Sequence, residues 1–339
     1  MSKNLNNYTA TLTTLGPVFI GSGQILRKNE YVYRGDKVHL IDETKLVQTL
    51  QSKGLLDDFI KHIAMTVVHD RSENDLGKYL ERHRIDVSQI ERYNLFVNTI
   101  KNADRMNDLH THLKDAHGQV YLPGSSLKGM LHTAIIADLE SEKRYNFKKP
   151  LPLSVSDSDT LETHQLAVYR KVDFSKDFSY LPIYRECIKP KQTIQFNLSG
   201  ELSIAKLEAS IRQTYQAYQT KWAEPILDMY GDDLAKHNFF ELYDKPDTDQ
   251  NIVYLGGGAG FVSKTLHYKS KDIKTARADV LNILKQKFTM RTSPYSFRNP
   301  KAIKNPITAP IALKLAMTMN GFVEMGKCRI TFQERTWSL

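Results

Sequence analysis

Tyr8, Ala10 and Leu12 alternate with threonines at 9, 11 and 13, the period-two pattern of a half-buried β-strand. The strand runs into Leu15-Gly16-Pro17-Val18-Phe19-Ile20-Gly21-Ser22-Gly23, whose glycines predict a turn. Strands over 31–33 and 38–41 follow, and Gly35-Asp36 between them suits a hairpin. Asp42 stands as an N-cap before Leu46, Val47 and Leu50, with Gly54 as the stop. Leu55, Leu56, Phe59, Ile60, Ile63 and Ala64 then repeat at helical spacing, and the polar text onward to Asn107 reads as mostly helical. Residues 119–122 form a short extended piece. Pro123-Gly124-Ser125-Ser126 stops it and caps a helix carrying Leu127, Leu131, Ala134, Ile135 and Leu139.

Charged residues 142–149, closed by Pro150 and Pro152, read as a connector that divides the chain into 1–149 and 150–339. The second part opens with strands over 166–172, 184–188 and 193–198, then a helix from Ile204 to about Trp222. A second glycine loop, Gly256 to Gly260, precedes a basic amphipathic helix over 273–288 and a Pro-rich loop over 290–310. Ile311, Leu313, Leu315 and Met317 alternate as a strand, and Cys328, Ile330 and Phe332 mark a last one. Each part mixes strands and helices around one glycine loop. The fold class expected is therefore α+β in two related units, not an alternating α/β sheet.

Length agrees, since 339 residues suggest about two domains of roughly 150 each. No run approaches the roughly 18 apolar residues of a membrane span, and Met1 to Asn7 is polar, so a cytoplasmic protein without a membrane partner is expected. The two cysteines, Cys187 and Cys328, exclude a disulfide framework or a Cys-based zinc site, and their place in strands suggests burial rather than nucleophilic use. Lys and Arg number 47 against 38 Asp and Glu, a net charge of +9, the balance of a protein that handles polyanions.

Within that balance, Pro123-Gly124-Ser125-Ser126-Leu127-Lys128-Gly129 carries the sharpest chemistry. Lys128 sits at the positive end of a helix dipole, and Gly129 costs a helix up to about 1 kcal/mol relative to alanine. A phosphate held by the turn N–H groups, the Ser125 and Ser126 hydroxyls and Lys128 explains both, and an ordinary capped helix with a solvated lysine fits the same pattern. Gly256 to Gly260, with Lys264 following, suits a backbone nest around phosphates, or a flexible connector. It is not a dinucleotide fingerprint, because Phe261 replaces the third glycine. Gly321 to Cys328 nearly spells a Walker A motif, yet Cys328 replaces the Mg²⁺-binding hydroxyl and a strand follows, which excludes ATP binding. Arg291, Arg298, Lys301 and Lys304 interleave with Tyr295 and Phe297, a mixture suited to single-stranded nucleic acid or to a solvated loop with its aromatics tucked in. Lys269, Lys271, Lys274 and Arg277 add to the basic footprint. His69-Asp70 and the group Asp108, His110, His112, Asp115 and His117 offer metal-ligand types without a second half-site, so no metal or cofactor is expected.

Gly16 to Gly23, Tyr121 to Gly129, a Ser156-Asp157-Ser158 strand, Leu181-Pro182-Ile183-Tyr184-Arg185-Glu186 and the closing Gly321 to Cys328 together resemble the RAMP superfamily of CRISPR proteins. Within it the chain is similar to the single terminal RAMP subunit of the type III-A effector, the Csm complex. The resemblance implies two ferredoxin-like, RRM-type domains, the first with a helical insertion at about 55–107. It implies that the glycine-rich loops and Lys128 hold the guide RNA (crRNA), and with the residue readings above the RNA-binding set expected is Gly21, Ser22, Gly23, Gly124, Ser125, Ser126, Lys128, Gly129, His132, Gly256, Gly257, Gly258, Gly260, Lys264, Arg291 and Arg298. Such a subunit caps the filament of backbone RAMP subunits, beside the small helical subunit, at the crRNA 3′ end and serves crRNA maturation with host nucleases. Backbone paralogues carry a histidine where Phe19 stands and an aspartate in the following loop; Gln24 to Glu30 has none, so target cleavage is not implied and no catalytic residue is assigned. The alternative is an endoribonuclease, metal-free or metal-dependent, that processes crRNA itself. His39, His132 and Tyr121 are general-base types that the spacing does not distinguish.

Overall fold

The computed structural model describes residues 5–68, 76–98, 106, 108–141, 152–235, 250–290, 293–296, 298–299 and 306–335. Strand β1 (Asn6–Thr14) buries Tyr8, Ala10 and Leu12 as its alternation requires. β2 (Gly21–Leu26), β3 (Tyr31–Arg34) and β4 (Lys37–Ile41) follow, then α1 (Glu43–Ser52), whose Asp42 cap accepts a 3.1 Å bond from the Lys45 N–H. Helices α2 (Leu56–Val68) and α3 (Leu76–Arg82), strands β5 (Glu91–Asn98) and β6 (Asp108–His112), and α4 (Gly124–Ser141) come next. Further on lie β7 (Leu153–Val155), β8 (Leu166–Phe174), β9 (Phe178–Ile188), β10 (Thr193–Gly200), α5 (Ile204–Tyr218), α6 (Glu224–Ala235) and β11 (Ile252–Tyr254). The chain ends with α7 (His267–Ser270), α8 (Ile273–Lys287), β12 (Leu313–Thr318), β13 (Gly321–Glu324) and β14 (Lys327–Glu334).

The strands form two sheets. The first runs β11-β14-β1-β10-β7. With α4 and α5 packed through Leu127, Leu131, Ile135, Leu207 and Ile211, it is a ferredoxin-like β-α-β-β-α-β unit, β1-α4-β7-β10-α5-β11, with β14 inserted between β1 and β11. The second runs β2-β6-β9-β8-β5-β4-β3, with β12 and β13 joined through β8, and pairs β5 with β8 and β6 with β9 in parallel. The class is α+β, as the sequence pattern predicts. Each sheet takes strands from both sides of residue 150, and the expected connector at 142–149 lies outside the described residues.

Several local expectations need correction. Region 55–107 is not a helical insertion throughout: after α3 the chain becomes β5, which buries Leu95 and Val97 in the middle of the second sheet. Gly21 to Gly23 does not form a loop but opens β2, paired with β6 and bulged between Gly21 and Ile25. Ser156 to Ser158 lies beyond the end of β7 and is not strand. The helix from Ile204 runs past Trp222, through a π turn at Gln219–Ala223 into α6. The near-Walker segment is the β13–β14 hairpin turning at Gly326. Among the described helices, none is long and apolar enough to cross a membrane.

Candidate nucleic-acid interface

Three backbone segments interlock at Phe19. The Gly257 N–H donates to the Phe19 carbonyl at 2.7 Å, the Gly326 N–H to the Pro17 carbonyl at 2.8 Å, and the Leu255 N–H to the Gly326 carbonyl at 2.8 Å. Gly256 has φ +83°, and a Cβ there would lie 2.3 Å from the Phe19 carbonyl oxygen, so only glycine lets the two loops close. The glycine loop is thereby a fixed part of the fold. Lys264 ties it further, its Nζ donating to the Gly256 carbonyl at 2.6 Å.

Positive charge collects around this loop. The Arg185 guanidinium, on β9, lies 5.0 Å from the centre of the Phe19 ring, and a Cβ on Gly258 would come within 2.2 Å of its Nη1. Lys171 and Lys314 both reach Asp173, at 2.8 and 2.7 Å, and the Lys314 stem lies against Gly260. Lys171 and Lys314 thus pair with one carboxylate, which also acts on Arg185, and Lys264 in turn lies close to Arg185. Burial, then Lys314, lowers the Lys171 pKa; burial, then Arg185, lowers that of Lys264. Burial acts to raise the Asp173 carboxyl, but Lys314 and Lys171 hold it below its ordinary value.

His110 and His112 stand two apart on β6, on one face, and meet the Phe19 ring edge-on at 6.5 and 6.3 Å. Burial pushes His112 down to about 4; its Nδ1 donates to the Leu113 carbonyl, leaving Nε2 as a buried acceptor without a partner. Burial, then Arg185, lowers His110 as well. Behind them Glu186, fully buried, accepts from Lys114 Nζ at 2.6 Å, the Tyr93 hydroxyl at 2.9 Å and the His112 N–H at 2.9 Å. Gly21 pairs opposite His112, and the Ser22 hydroxyl shares a 2.6 Å bond with Thr111, so the first glycine run borders the same group.

Two N–H groups in the first turn of α4 find partners within the chain. Its Gly124 N–H donates to Asp157 Oδ1 at 2.8 Å and its Ser126 N–H to the Pro123 carbonyl at 2.9 Å. Ser125 is exposed, Ser126 and Lys128 are half-buried, and Lys128 has no carboxylate partner among the described residues. Gly129 is exposed, with nothing within 4 Å of where its Cβ would stand. Burial, then Lys128, lowers His132. Met130 and Thr133 share one small cavity with Val262 and Ser263, and Lys269 Nζ donates to the Ala134 carbonyl at 2.7 Å, so α4 adjoins the segment after the glycine loop.

Arg298 is exposed, while Tyr295 is partly buried, its ring packed against the core and its hydroxyl accepting from the Ile311 N–H at 3.0 Å. Arg291, Phe297, Lys301, Lys304, His69 and Asp70 lie outside the described residues. Among the described residues no three His, Cys, Asp or Glu side chains gather as metal ligands. Cys187 and Cys328 are buried, and burial raises both thiol pKa values. Sequence reasoning missed Lys171, Asp173 and Lys314 as a group, which only the β8–β12 pairing brings together. It quoted Arg185 within a motif but gave it no role.

A family profile described as the RAMP superfamily matches residues 11–263. The Csm5 protein of the CRISPR system of Enterococcus italicus is 30% identical, over 96% of this chain and 97% of that protein. A chain in the cryo-EM structure of a Csm–crRNA–target RNA ternary complex of a type III-A CRISPR–Cas system superposes with a TM-score of 0.71 at 18% identity, over 96% of this chain and 100% of that one. The crystal structure of T. onnurineus Csm5 superposes with a TM-score of 0.62 at 18% identity, over 79% of this chain and 96% of that one.

Proposed function

Because this chain belongs to the RAMP superfamily and, within it, to the Csm5 proteins of type III-A Csm complexes, we propose that it holds crRNA and caps the backbone filament at the crRNA 3′ end. On this reading it contacts the adjoining backbone RAMP subunit and the small helical subunit, and it presents the crRNA end to host nucleases for trimming in the cytoplasm, without cleaving RNA itself. Ser125, Ser126, Lys128 and Gly129 on α4 lie along the RNA backbone, together with Gly21 to Gly23, Gly256 to Gly260, His132, Lys264, Arg291 and Arg298.

The observation that carries the reading is Gly129 beside Lys128. An exposed glycine inside a helix weakens it without any gain in packing, unless another backbone comes close. Contacts of this kind go to phosphate and sugar, as suits a protein that must accept any guide sequence. Titrating the purified chain with two single-stranded RNAs of unrelated sequence tests it. Similar affinities, falling as salt rises, are expected; salt-independent binding, or none, overturns the proposal.

A second reading, in which the chain processes crRNA itself, has one observation in its favour: His110, whose pKa burial and then Arg185 lower, pairs across from Arg185 on β9. Incubating precursor RNA with the chain, in Mg²⁺ or in EDTA, and resolving it on a denaturing gel separates the two. Intact RNA in both is the outcome expected of a non-catalytic subunit.

A further inference from the structure

Residues 280–323 contain no Asp or Glu and seven Lys or Arg, from Lys285 to Lys314, so most of the net charge of +9 arises in one stretch of the chain. Two of the large apolar side chains that this stretch leaves in solvent stand at the C-terminal end of α8: Phe288 is 43% exposed and Met290 73%. The backbone around them is held. The Phe288 N–H donates to the Leu284 carbonyl at 2.9 Å, the Ser293 N–H to the Met290 carbonyl at 2.9 Å, and the buried Ser296 hydroxyl to the Thr289 carbonyl at 3.1 Å. The Tyr295 ring, packed on the core, supports Phe288 with 6.2 Å between ring centroids. Lys285, half-buried, and Lys287, exposed, lie in the last turn of α8, and neither makes an ion pair among the described residues. Lysines there complement the helix dipole, which accounts for the charge but not for the ring left in solvent beside them. Lysine is depleted in protein–protein interfaces, whereas an aromatic face bordered by cations is the arrangement that holds single-stranded nucleic acid.

We propose that Phe288, bordered by Lys285 and Lys287, is a stacking platform for one base of a single-stranded RNA, with Met290 extending its apolar surface. The inference rests on the RNA binding proposed above and adds a contact with a base, where the α4 face meets phosphate and sugar. Stacking uses the π-face that every base has, so the platform accepts any sequence. It stands apart from the α4 face: α7, tied to α4 through the Lys269 bond to the Ala134 carbonyl, leads into α8, whose 15 residues extend about 22 Å. The described ring that the sequence pattern offers for stacking, Tyr295, is packed inward and serves as the support.

The test uses the full chain, Phe288→Ala and Phe288→Trp, with single-stranded RNA and with an abasic oligomer of the same length. Phe288→Ala is expected to lose about tenfold in RNA affinity with its log–log salt slope unchanged, because the contact removed is to a base and not to a phosphate. Its binding of the abasic oligomer should equal that of wild type. Lys287→Ala should bind both ligands more weakly, with a slope shallower by about 0.7. Phe288→Trp should bind RNA as wild type does, and the emission of its added indole should be quenched by RNA and not by the abasic oligomer. Phe288→Ala that binds RNA as tightly as wild type, or that weakens equally toward RNA and the abasic oligomer, overturns the proposal, and so does a Phe288→Trp emission indifferent to RNA. Where Phe288→Ala melts well below wild type, the Phe288→Trp emission decides. Wild type that binds no RNA overturns the function proposed above together with this inference, whereas RNA binding that depends on Lys128 but not on Phe288 overturns this inference alone.

Discussion

The Asp157 carboxylate accepts a 2.8 Å hydrogen bond from the Gly124 N–H, capping α4 from a segment 33 residues further along the chain. The link fastens the start of α4 to the end of β7 and supplies a negative charge at the positive end of the helix. Asp157→Ala should cost about 1 kcal/mol and lower the melting temperature by a few degrees. Asp157→Asn, whose side-chain oxygen also accepts, should recover most of it. Equal thermal stability of wild type and Asp157→Ala would contradict this account of the cap.

Two glycines five residues apart in α4 should respond in opposite ways to alanine. At Gly124 a Cβ would stand 2.2 Å from the Ser156 carbonyl oxygen, an overlap that backbone must relieve, so Gly124→Ala should be strongly destabilising. At Gly129 the space is open, and alanine should stabilise the helix by up to about 1 kcal/mol. Urea denaturation of the two variants measures both. A destabilised Gly129→Ala would mean that the glycine serves the fold and not a ligand.

Stability should fall in mild acid because of His112. The folded chain holds its imidazole neutral down to about pH 4, while the unfolded chain protonates it near the ordinary 6.5. Between these values the unfolded state binds more protons, so stability rises with pH across the window. The contribution, about 3 kcal/mol, is fully present above pH 6.5 and lost as pH falls toward 4. Urea midpoints measured from pH 7.5 to 4.5 should decline less for His112→Phe than for wild type. Parallel curves would show that another group governs the acid response.

Glu186 satisfies three donors at once, Lys114 Nζ, the Tyr93 hydroxyl and the His112 N–H. Glu186→Ala also leaves Lys114 without its counter-charge, and a loss of about 3–5 kcal/mol is expected. Glu186→Gln preserves part of the bonding and should lose clearly less. Similar losses in both variants would show that the charge, and not the set of hydrogen bonds, is what matters there.

Legibility followed the range of the interactions. α1 was readable because its cap, apolar face and terminating Gly54 are all local, and β1 because its alternation is strict. β5 was not: Glu91, Arg92 and Asn94 make it look polar, and only pairing with β4 and β8 turns Leu95 and Val97 into core. β6 reads as a cluster of metal-ligand types until its parallel pairing with β9 places His110 and His112 against Phe19. The Pro-Gly-Ser-Ser-Leu-Lys-Gly element could be picked out by its local chemistry, but not that Asp157 would cap its helix. The cation group at Arg185 left no trace in spacing, since its members come from β8, β9, β12 and the turn after the glycine loop.

The central claim, that the face of α4 holds the RNA backbone, is tested most directly by binding of labelled single-stranded guide-length RNA across a salt series, for wild type, Lys128→Ala and Gly129→Ala. Lys128→Ala should bind more weakly with a slope shallower by about 0.7, and Gly129→Ala should bind more weakly while melting no lower than wild type. Unchanged affinity and slope in both variants would contradict the claim.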